Sequence, residues 1–345
     1  MRSWGVACLR FIGLLLYWSG AYRAVIWWNR RVPKILLYHA CEFHESDFTR
    51  DFGSNLTPVQ FDRHLALLAR HYNVIPLSAL EREAIPERAV VITFDDGYRS
   101  VGVHAAPLLK KRSFPATVYL VTDVVDNGAM VWANELNWLL RNRGAAARSV
   151  LRDRLTRDVL DTPRRIIDRV RATMSQPEIT GLLADIRQEA DLDATTFYRA
   201  ANLYLSWQDI AILSDQGITF GNHTATHPNL TRLEITEQVD EMSRAQGALL
   251  AKVGPVTSFA YPFGDRDARS RRAATAVGFV SILEVGGMND RLDLHALSRT
   301  PVGGSEAELF AEIEIVSPLK ATIAKWTEAL RYALRPKVSA HGTSD

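Results

Sequence analysis

The chain has 345 residues, of which 47% are hydrophobic and 23% are charged, and this is the composition of a globular protein. Its length suits one large α/β domain with insertions, or two domains. The formal net charge of +2 is nearly neutral and the basic residues are dispersed, which argues against a nucleic-acid-binding protein held by phosphate contacts. Two cysteines, Cys8 and Cys41, are too few for a disulfide framework or a cysteine-based zinc site.

Residues 1–31 form an apolar first segment that is rich in tryptophan and flanked by arginines. Its unbroken apolar run is shorter than the ~20 residues that a membrane-spanning helix needs. A signal peptide, an uncleaved membrane anchor and a buried core helix all fit this pattern. Because Trp and Arg favour the membrane interface, the sequence favours a signal or an anchor. We therefore expect a membrane-associated or cell-envelope protein rather than a freely cytoplasmic one.

From residue 32 onward, short apolar runs alternate with amphipathic helical patterns. Strands are predicted over 34–39, 72–76, 90–94, 116–121, 217–221, 256–264 (with a turn), 279–283 and 297–302. This alternation predicts a parallel sheet or barrel whose site lies at the carboxyl ends of the strands. The intervals are too irregular for a symmetric eight-stranded barrel.

Residues 128–203 interrupt the alternation with charged, amphipathic helical patterns. They are predicted to be a helical insertion in a barrel domain that spans residues 32–316. The simplest interpretation of their charges is a solvated face, and a lid or a docking surface is the alternative, because long insertions are often functional. Residues 317–345 are predicted to form a C-terminal helix and a disordered tail from Pro336.

Side chains that suit a metal ion follow two of the predicted strands. Asp95 and Asp96 end one apolar run, and two adjacent carboxylates are costly without a cation or hydrogen bonds. His223 and His227 follow another strand, and Pro228 biases His227 away from helix, so this pair is predicted on a tight loop. A solvated turn explains either pair alone. Together, one carboxylate and two imidazoles form a three-ligand site that leaves positions open for water and substrate. These ligands suit zinc and similar divalent ions.

Two stretches carry a family resemblance. Thr93-Phe94-Asp95-Asp96-Gly97 and His223-Thr224-Ala225-Thr226-His227-Pro228 resemble the first two motifs of the NodB-homology polysaccharide deacetylases, carbohydrate esterase family 4. The resemblance covers residues 34–127 and 203–302. It implies a distorted (β/α) barrel of about seven strands with a helical insertion. It also implies a metal-dependent hydrolase that removes acetyl groups from N-acetylated amino sugars.

The resemblance also implies roles for these residues. Asp95 corresponds to the general base, and Asp96, His223 and His227 correspond to the ligands of the metal, for which zinc is expected. The two carboxylates are expected to divide the work because successive side chains at a strand end point to different sides.

A third stretch departs from the family pattern. Ala260-Tyr261-Pro262-Phe263 resembles the third motif, but alanine replaces the arginine that orients the base. We predict that Arg299 takes its place. Phe263 matches the position whose backbone N–H helps hold the oxyanion, and Tyr261 is predicted to contact the substrate.

Two histidines are candidates for the general acid. His39 ends the first predicted strand and resembles an early histidine in the family branch that acts on poly-N-acetylglucosamine. His295 resembles the late histidine motif only loosely. We favour His39.

The predicted function is removal of N-acetyl groups from a polysaccharide or glycolipid, with a membrane contact expected through residues 1–31. A deformylase acting on a lipid-linked formamido-sugar is the second interpretation, since it uses the same chemistry on a related fold. A degenerate glycan-binding barrel is the third. The missing motif arginine supports the third interpretation, and the intact first two motifs argue against it.

Overall fold

The structure is a computed structural model that describes residues 3–82, 84–155 and 161–333. The tail predicted from Pro336 lies outside these ranges. Within them the strands are β1 (Lys34–Tyr38), β2 (Asn73–Val74), β3 (Ala89–Phe94), β4 (Ala116–Leu120), β5 (Ile218–Asn222), β6 (Ser258–Ala260), β7 (Ser281–Val285) and β8 (Leu297–Pro301).

The α-helices of the described ranges lie before, between and after these strands. They are α1 (Ser3–Trp18), α2 (Tyr22–Trp28), α3 (Pro58–His71), α4 (Ala106–Lys111), α5 (Trp132–Asn142), α6 (Gly144–Arg154), α7 (Pro163–Thr173), α8 (Gln176–Glu189), α9 (Ala194–Ala201), α10 (Trp207–Asp215), α11 (Ile235–Val253), α12 (Ala268–Val277), α13 (Glu306–Ala311) and α14 (Ser317–Ala333). A π-helical turn, Glu312–Val316, joins the last two helices.

Seven strands close into a parallel barrel, which confirms the predicted fold. Strand β1 pairs with β3 on one side and with β8 on the other, and the remaining strands complete the ring in the order β3-β4-β5-β6-β7-β8. The short strand β2 pairs with β3 outside the ring. Because every strand is parallel, all seven carboxyl ends meet at one rim of the barrel.

Side-chain alternation along each strand separates two layers of packing. One set of residues packs inside the barrel, including Ile35, Val91, Tyr119, Ala260 and Leu283. Their neighbours along the strands face outward; those on β6 and β7, for example, pack against α11 and α12. The interior is therefore a packed core, and the space for a ligand lies above it, at the rim.

Five helices, α5 to α9, lie between β4 and α10, where the sequence predicts an insertion. Buried Glu135 on α5 connects three of them, because it accepts hydrogen bonds from Arg187 on α8 at 2.6 Å and from Tyr198 on α9 at 2.9 Å. Burial raises the pKa of Glu135, and the pairing with Arg187 offsets part of the cost of burying the carboxylate. These hydrogen bonds hold α5, α8 and α9 together.

The two N-terminal helices meet at a sharp bend. Among the described residues, no single helix has both the length and the hydropathy of a membrane span. Gly5–Trp18 and Tyr22–Trp28 meet these criteria only when they are taken together, and the chain bends by 111° between them. Helix α1 packs against α13 and the π-helical turn, so one of its faces is covered by the barrel's own helices.

Candidate active site

Asp96, His223 and His227 meet at the rim of the barrel. Asp96 follows β3, and the two histidines follow β5 on a single loop. The Oδ1 atom of Asp96 lies 3.5 Å from Nε2 of His223 and 3.3 Å from Nε2 of His227. One ligand atom of each residue lies within 4.8 Å of the others, and all three side chains are buried. The sequence-predicted ligands therefore form a single cluster.

The chemistry of this cluster fits a divalent metal ion. Two buried atoms of the cluster have no hydrogen-bond partner among the described residues. They are the carboxylate oxygen Oδ1 of Asp96 and the ring nitrogen Nδ1 of His227. Buried polar atoms are otherwise almost always paired, and an unpaired carboxylate oxygen between two imidazoles suits a cation. His223 Nδ1 lies 2.7 Å from the carbonyl oxygen of Ala260, which fixes the ring with Nε2 toward the cluster. Such an outer hydrogen bond is typical of metal-binding histidines.

The ionisation of two of the three residues, His227 and Asp96, agrees with this fit. Burial lowers the pKa of His227 to about 4, so its ring is neutral at neutral pH, which is the form that binds metals. For Asp96, burial acts to raise the pKa, but the adjacent imidazoles outweigh it and the net pKa is lowered. The carboxylate is therefore ionised and available as a ligand.

Asp95 makes a different contact from that of its neighbour. Its two carboxylate oxygens accept hydrogen bonds from Nη1 and Nη2 of Arg299, at 2.6 and 2.7 Å. Arg299 is itself buried inside the barrel, with its guanidinium 5.3 Å from the centre of the Tyr119 ring. Burial acts to raise the pKa of Asp95, and the adjacent guanidinium outweighs it, so the net pKa is lowered. Arg299 thus holds Asp95 ionised and in one orientation.

The position of Arg299 accounts for the departure from the third motif. Ala260 stands where the family has an arginine, and its side chain faces the barrel interior. Arg299 enters the same interior from β8, a neighbour of β1. The guanidinium that binds Asp95 therefore comes from β8, whereas Ala260 lies on β6.

We expect Arg299→Lys to lower kcat by about 10- to 100-fold with little change in KM, since lysine keeps the charge but not the planar fork that positions the carboxylate. Arg299→Ala should also lower the free energy of unfolding by about 3–5 kcal/mol, because it leaves Asp95 buried and unpaired. Steady-state kinetics and urea unfolding measure the two effects.

Arg271→Lys is the matched control. Arg271 binds Glu284 with two nitrogens, and neither residue lines the rim cavity. The kcat of the Arg271→Lys variant should equal that of the unchanged protein. An unchanged kcat in Arg299→Lys as well would contradict a positioning role for Arg299.

The structure separates the two candidate acids. His39 follows β1, lines the rim cavity and lies beside Asp95, whose backbone N–H donates to the carbonyl of Tyr38 at 3.0 Å. His295 is exposed and precedes β8, so it lies at the opposite end of the barrel. Of the two histidines, His39 is therefore the one at the rim cavity.

Phe263 also lines the rim cavity, as the prediction for its backbone requires. Its φ is 58°, a left-handed value that costs free energy for a residue with a side chain. Asp96 and His227 share this property, with φ values of 68° and 60°. The ring of Phe263 lies 4.5 Å from that of His227. Three residues that line the cavity therefore have left-handed backbone.

The structure contradicts the predicted substrate contact of Tyr261. Its side chain is buried and packs against the rings and aliphatic groups under α11 and α12, with the Phe259 ring 4.9 Å away. The reason is alternation: Ala260 faces the interior of the barrel, so the next side chain faces the outer layer. Tyr261 does not line the cavity.

The loop that carries His223 and His227 is held in place by buried polar side chains. Glu241 on α11 accepts hydrogen bonds from the backbone N–H groups of Ala225 and Thr226, at 3.1 and 2.9 Å. Thr224 Oγ1 accepts from the N–H of His227 at 3.0 Å. The sequence analysis did not single out these residues. They fix the loop before any ligand arrives, which favours a preorganised site.

A cavity of about 320 Å³ opens over the cluster. Its walls come from several rim loops and from α7 of the inserted helices. The residues of α7 that line it are Arg164, Ile167, Asp168 and Arg171. This places part of the insertion over the site, whereas a solvated face was the simplest interpretation of its charges. A charged amphipathic helix carries no local signal for which partner it faces.

Comparison with known proteins identifies the family. The family model described as polysaccharide deacetylase matches residues 82–149 and 170–282, which is more than half of the chain. The chain belongs to this family. It is therefore a deacetylase, a hydrolase of the class that acts on N-acetylated polysaccharides. A comparison with curated protein sequences gives no match.

Solved structures show the same fold as this deacetylase. The Streptococcus pyogenes deacetylase PplD, solved in complex with acetate, superimposes with a TM-score of 0.56 at 18% identity, over 82% of this chain and 98% of that one. IcaB from Ammonifex degensii gives 0.54 at 16% identity, over 82% and 97%. A de-N-acetylase from Aggregatibacter actinomycetemcomitans gives 0.51 at 16% identity, over 81% and 99%.

Proposed function

We propose that this deacetylase is a metal-dependent hydrolase that removes N-acetyl groups from amino sugars of a polysaccharide or glycolipid. The observation that carries the proposal is the buried cluster of Asp96, His223 and His227 beside an Asp95 that is ionised and oriented by Arg299. A degenerate binding barrel has no need of a buried, ionised carboxylate at its rim. The cluster therefore favours catalysis.

The proposed roles follow from position. Asp96, His223 and His227 would hold a divalent ion, zinc in the simplest case, which supplies a lowered water pKa and a polarised amide carbonyl. Asp95 accepts the proton of the attacking water. The backbone N–H of Phe263 faces the developing oxyanion. His39 donates a proton to the leaving nitrogen as the amide C–N bond breaks, so that acetate and a free amino sugar leave the site.

The cavity limits the substrate. Its volume of about 320 Å³ is at the lower end for ligand pockets, which suits one sugar unit with its acyl group. Apolar side chains such as Leu37, Val131 and Ile167 share the walls with the charged residues. Helix α7 closes one side of the rim, so we expect the site to accept an accessible sugar more readily than one in the middle of a packed polymer.

The test is release of the acyl group. The metal-loaded chain is incubated with oligomers of N-acetylglucosamine and with the matching N-formylated sugars, and proton NMR distinguishes acetate from formate. Acetate release that a chelator abolishes supports the proposal. Formate release alone would establish the deformylase interpretation instead, and glycan binding with release of neither would establish the degenerate barrel.

We expect His39→Ala to lower kcat by about 10²-fold or more, the range for loss of a general acid or base. Because a general acid must be protonated, the variant should also lose the fall in rate at high pH. A pH–rate profile of acetate release measures both effects.

His295→Ala is the matched control, since this histidine lies at the other end of the barrel. It should keep the whole profile of the unchanged protein. If the high-pH limb persists in His39→Ala and disappears in His295→Ala, the assignment of the acid is wrong.

A further inference from the structure

The N-terminal helices have one covered face and one uncovered face. On the covered face, Gly13 lies against Ala311 of α13 so closely that a Cβ atom at Gly13 would be 2.4 Å from the Ala311 side chain. Tyr17 contacts Phe310, with ring centres 5.9 Å apart. Asn29, just after α2, donates to the backbone carbonyl and the carboxylate of Glu314. These contacts attach both helices to the barrel.

The uncovered face is apolar and aromatic. It consists of Phe11, Ile12, Leu15 and Trp18 on α1 and of Trp27 and Trp28 on α2; we refer to these six residues as the tryptophan face. Trp18 is 77% exposed and Trp28 is 78% exposed. On α1 these residues recur at helical spacing, so they form one stripe. Soluble proteins rarely expose a contiguous apolar patch of this kind.

The charged residues of the N-terminal segment itself all have one sign. Residues 1–41 contain no Asp or Glu, and their basic residues are Arg2, Arg10, Arg23, Arg30, Arg31 and Lys34. Some of these bind carboxylates of the barrel, as Arg10 does with Glu312 at 3.2 Å. The Arg31 side chain is 82% exposed and lies 3.9 Å from the carboxylate of Glu87, and Arg23 is also exposed. The tryptophan face therefore has solvent-exposed arginines at its edge.

We propose that the tryptophan face binds the surface of a membrane that contains anionic lipids and holds the active site beside it. Tryptophan and arginine favour the interface between water and acyl chains. The bend of 111° makes α1 and α2 unsuited to cross the bilayer as one rod, but it does not prevent them from lying in the interface plane. A second copy of the chain fits less well, because a two-fold contact through this face would set its arginines against each other.

The test uses the full chain and sedimentation with vesicles. The unchanged chain should bind vesicles of phosphatidylcholine with phosphatidylglycerol more tightly than vesicles of phosphatidylcholine alone. The triple variant Trp18→Ser, Trp27→Ser, Trp28→Ser should bind at least about 100-fold more weakly, since three large apolar side chains are removed. Arg23→Gln with Arg31→Gln should weaken binding to the anionic vesicles by about fivefold per charge.

The matched control removes three exposed apolar residues from other helices: Val59→Ser, Ile212→Ser and Leu250→Ser. It should bind like the unchanged chain. Because all the altered side chains are exposed, circular dichroism should show the same folding for both triple variants. These readouts do not depend on turnover, so they stand apart from the proposed function.

Three results would overturn the proposal. The tryptophan variant could bind as tightly as the control variant. The unchanged chain could fail to bind vesicles and instead form a dimer that the tryptophan variant abolishes. A second copy of the chain would then be the partner of the tryptophan face. Mass spectrometry of the chain from the cells that produce it could find an N-terminus beyond Ala21, which would mean that α1 is removed as a signal.

Discussion

Asp95→Asn should abolish deacetylation while leaving metal binding intact. We expect kcat to fall by about 10²–10⁴-fold, the range for loss of a general base. Asparagine has nearly the same shape, but it does not take up the proton of the attacking water. Asp95 binds Arg299 with both oxygens and is not one of the three clustered ligands, so the metal content should stay the same. Acetate release and metal analysis on the same samples measure the two quantities.

A double variant separates catalysis from folding in this prediction. Asp95→Asn alone leaves the guanidinium of Arg299 buried without a counter-charge, which should cost about 3–5 kcal/mol of folding free energy. Asp95→Asn with Arg299→Gln replaces the ion pair by two neutral amides of similar shape. It should recover part of the stability in urea unfolding but none of the turnover.

Asp123→Asn is the control for the chemical change itself. Asp123 binds Arg244 at 2.7 Å, but the pair is partly exposed, and such pairs contribute little to stability. Full activity is expected. Substantial acetate release by Asp95→Asn, in samples where Asp123→Asn behaves normally, would rule out Asp95 as the base.

The cluster was predictable because its residues lie in short local patterns. An apolar strand followed by Asp95 and Asp96, and a second one followed by the two histidines, place four functional groups at strand ends. In a parallel barrel all these ends share one rim, so the sequence order of the motifs did not matter. The spacing of strands and helices was enough to predict that they meet.

The contact of Arg299 depended on the closure of the barrel. Arg299 and Asp95 are 204 residues apart, and no local pattern joins them. Strand β1 lies between the strand that precedes Asp95 and the strand that carries Arg299, because it pairs with both β3 and β8. The absence of the motif arginine suggested that a replacement must exist, but only this closure brings Arg299 to Asp95.

Two features of the site could not be predicted from local sequence patterns. Helix α7 lines the cavity, although its charged face has the pattern of a solvated helix. Its position is decided by packing against α5, which is long-range information. Tyr261 was predicted from its place in the motif, whereas side-chain alternation after Ala260 directs it outward. Motif membership identifies a segment, and the direction of each side chain has to be argued separately.

His223→Ala should remove the metal and the activity together, in contrast with Asp95→Asn. The loss of one of three ligands should weaken metal binding by more than about 100-fold, since the loss of an outer-shell partner alone costs 10–100-fold. Asp96→Asn should behave in the same way, because the unpaired Oδ1 lies between both imidazoles. The sharpest comparison is therefore between neighbours: the same Asp→Asn change keeps the metal at position 95 and loses it at position 96. Competition with a chromophoric chelator measures the affinity of each variant.

His64→Ala is the control for loss of a buried imidazole. His64 is buried and bonds to the hydroxyl of Tyr38 and the carbonyl of Gly304, and it is not among the three clustered ligands. It should lose stability but keep the metal affinity of the unchanged chain. If Asp96→Asn and His223→Ala bind the ion as tightly as His64→Ala does, the ion is not held by this cluster. If Asp95→Asn loses the ion as well, both carboxylates are ligands, and the division of roles between them is wrong.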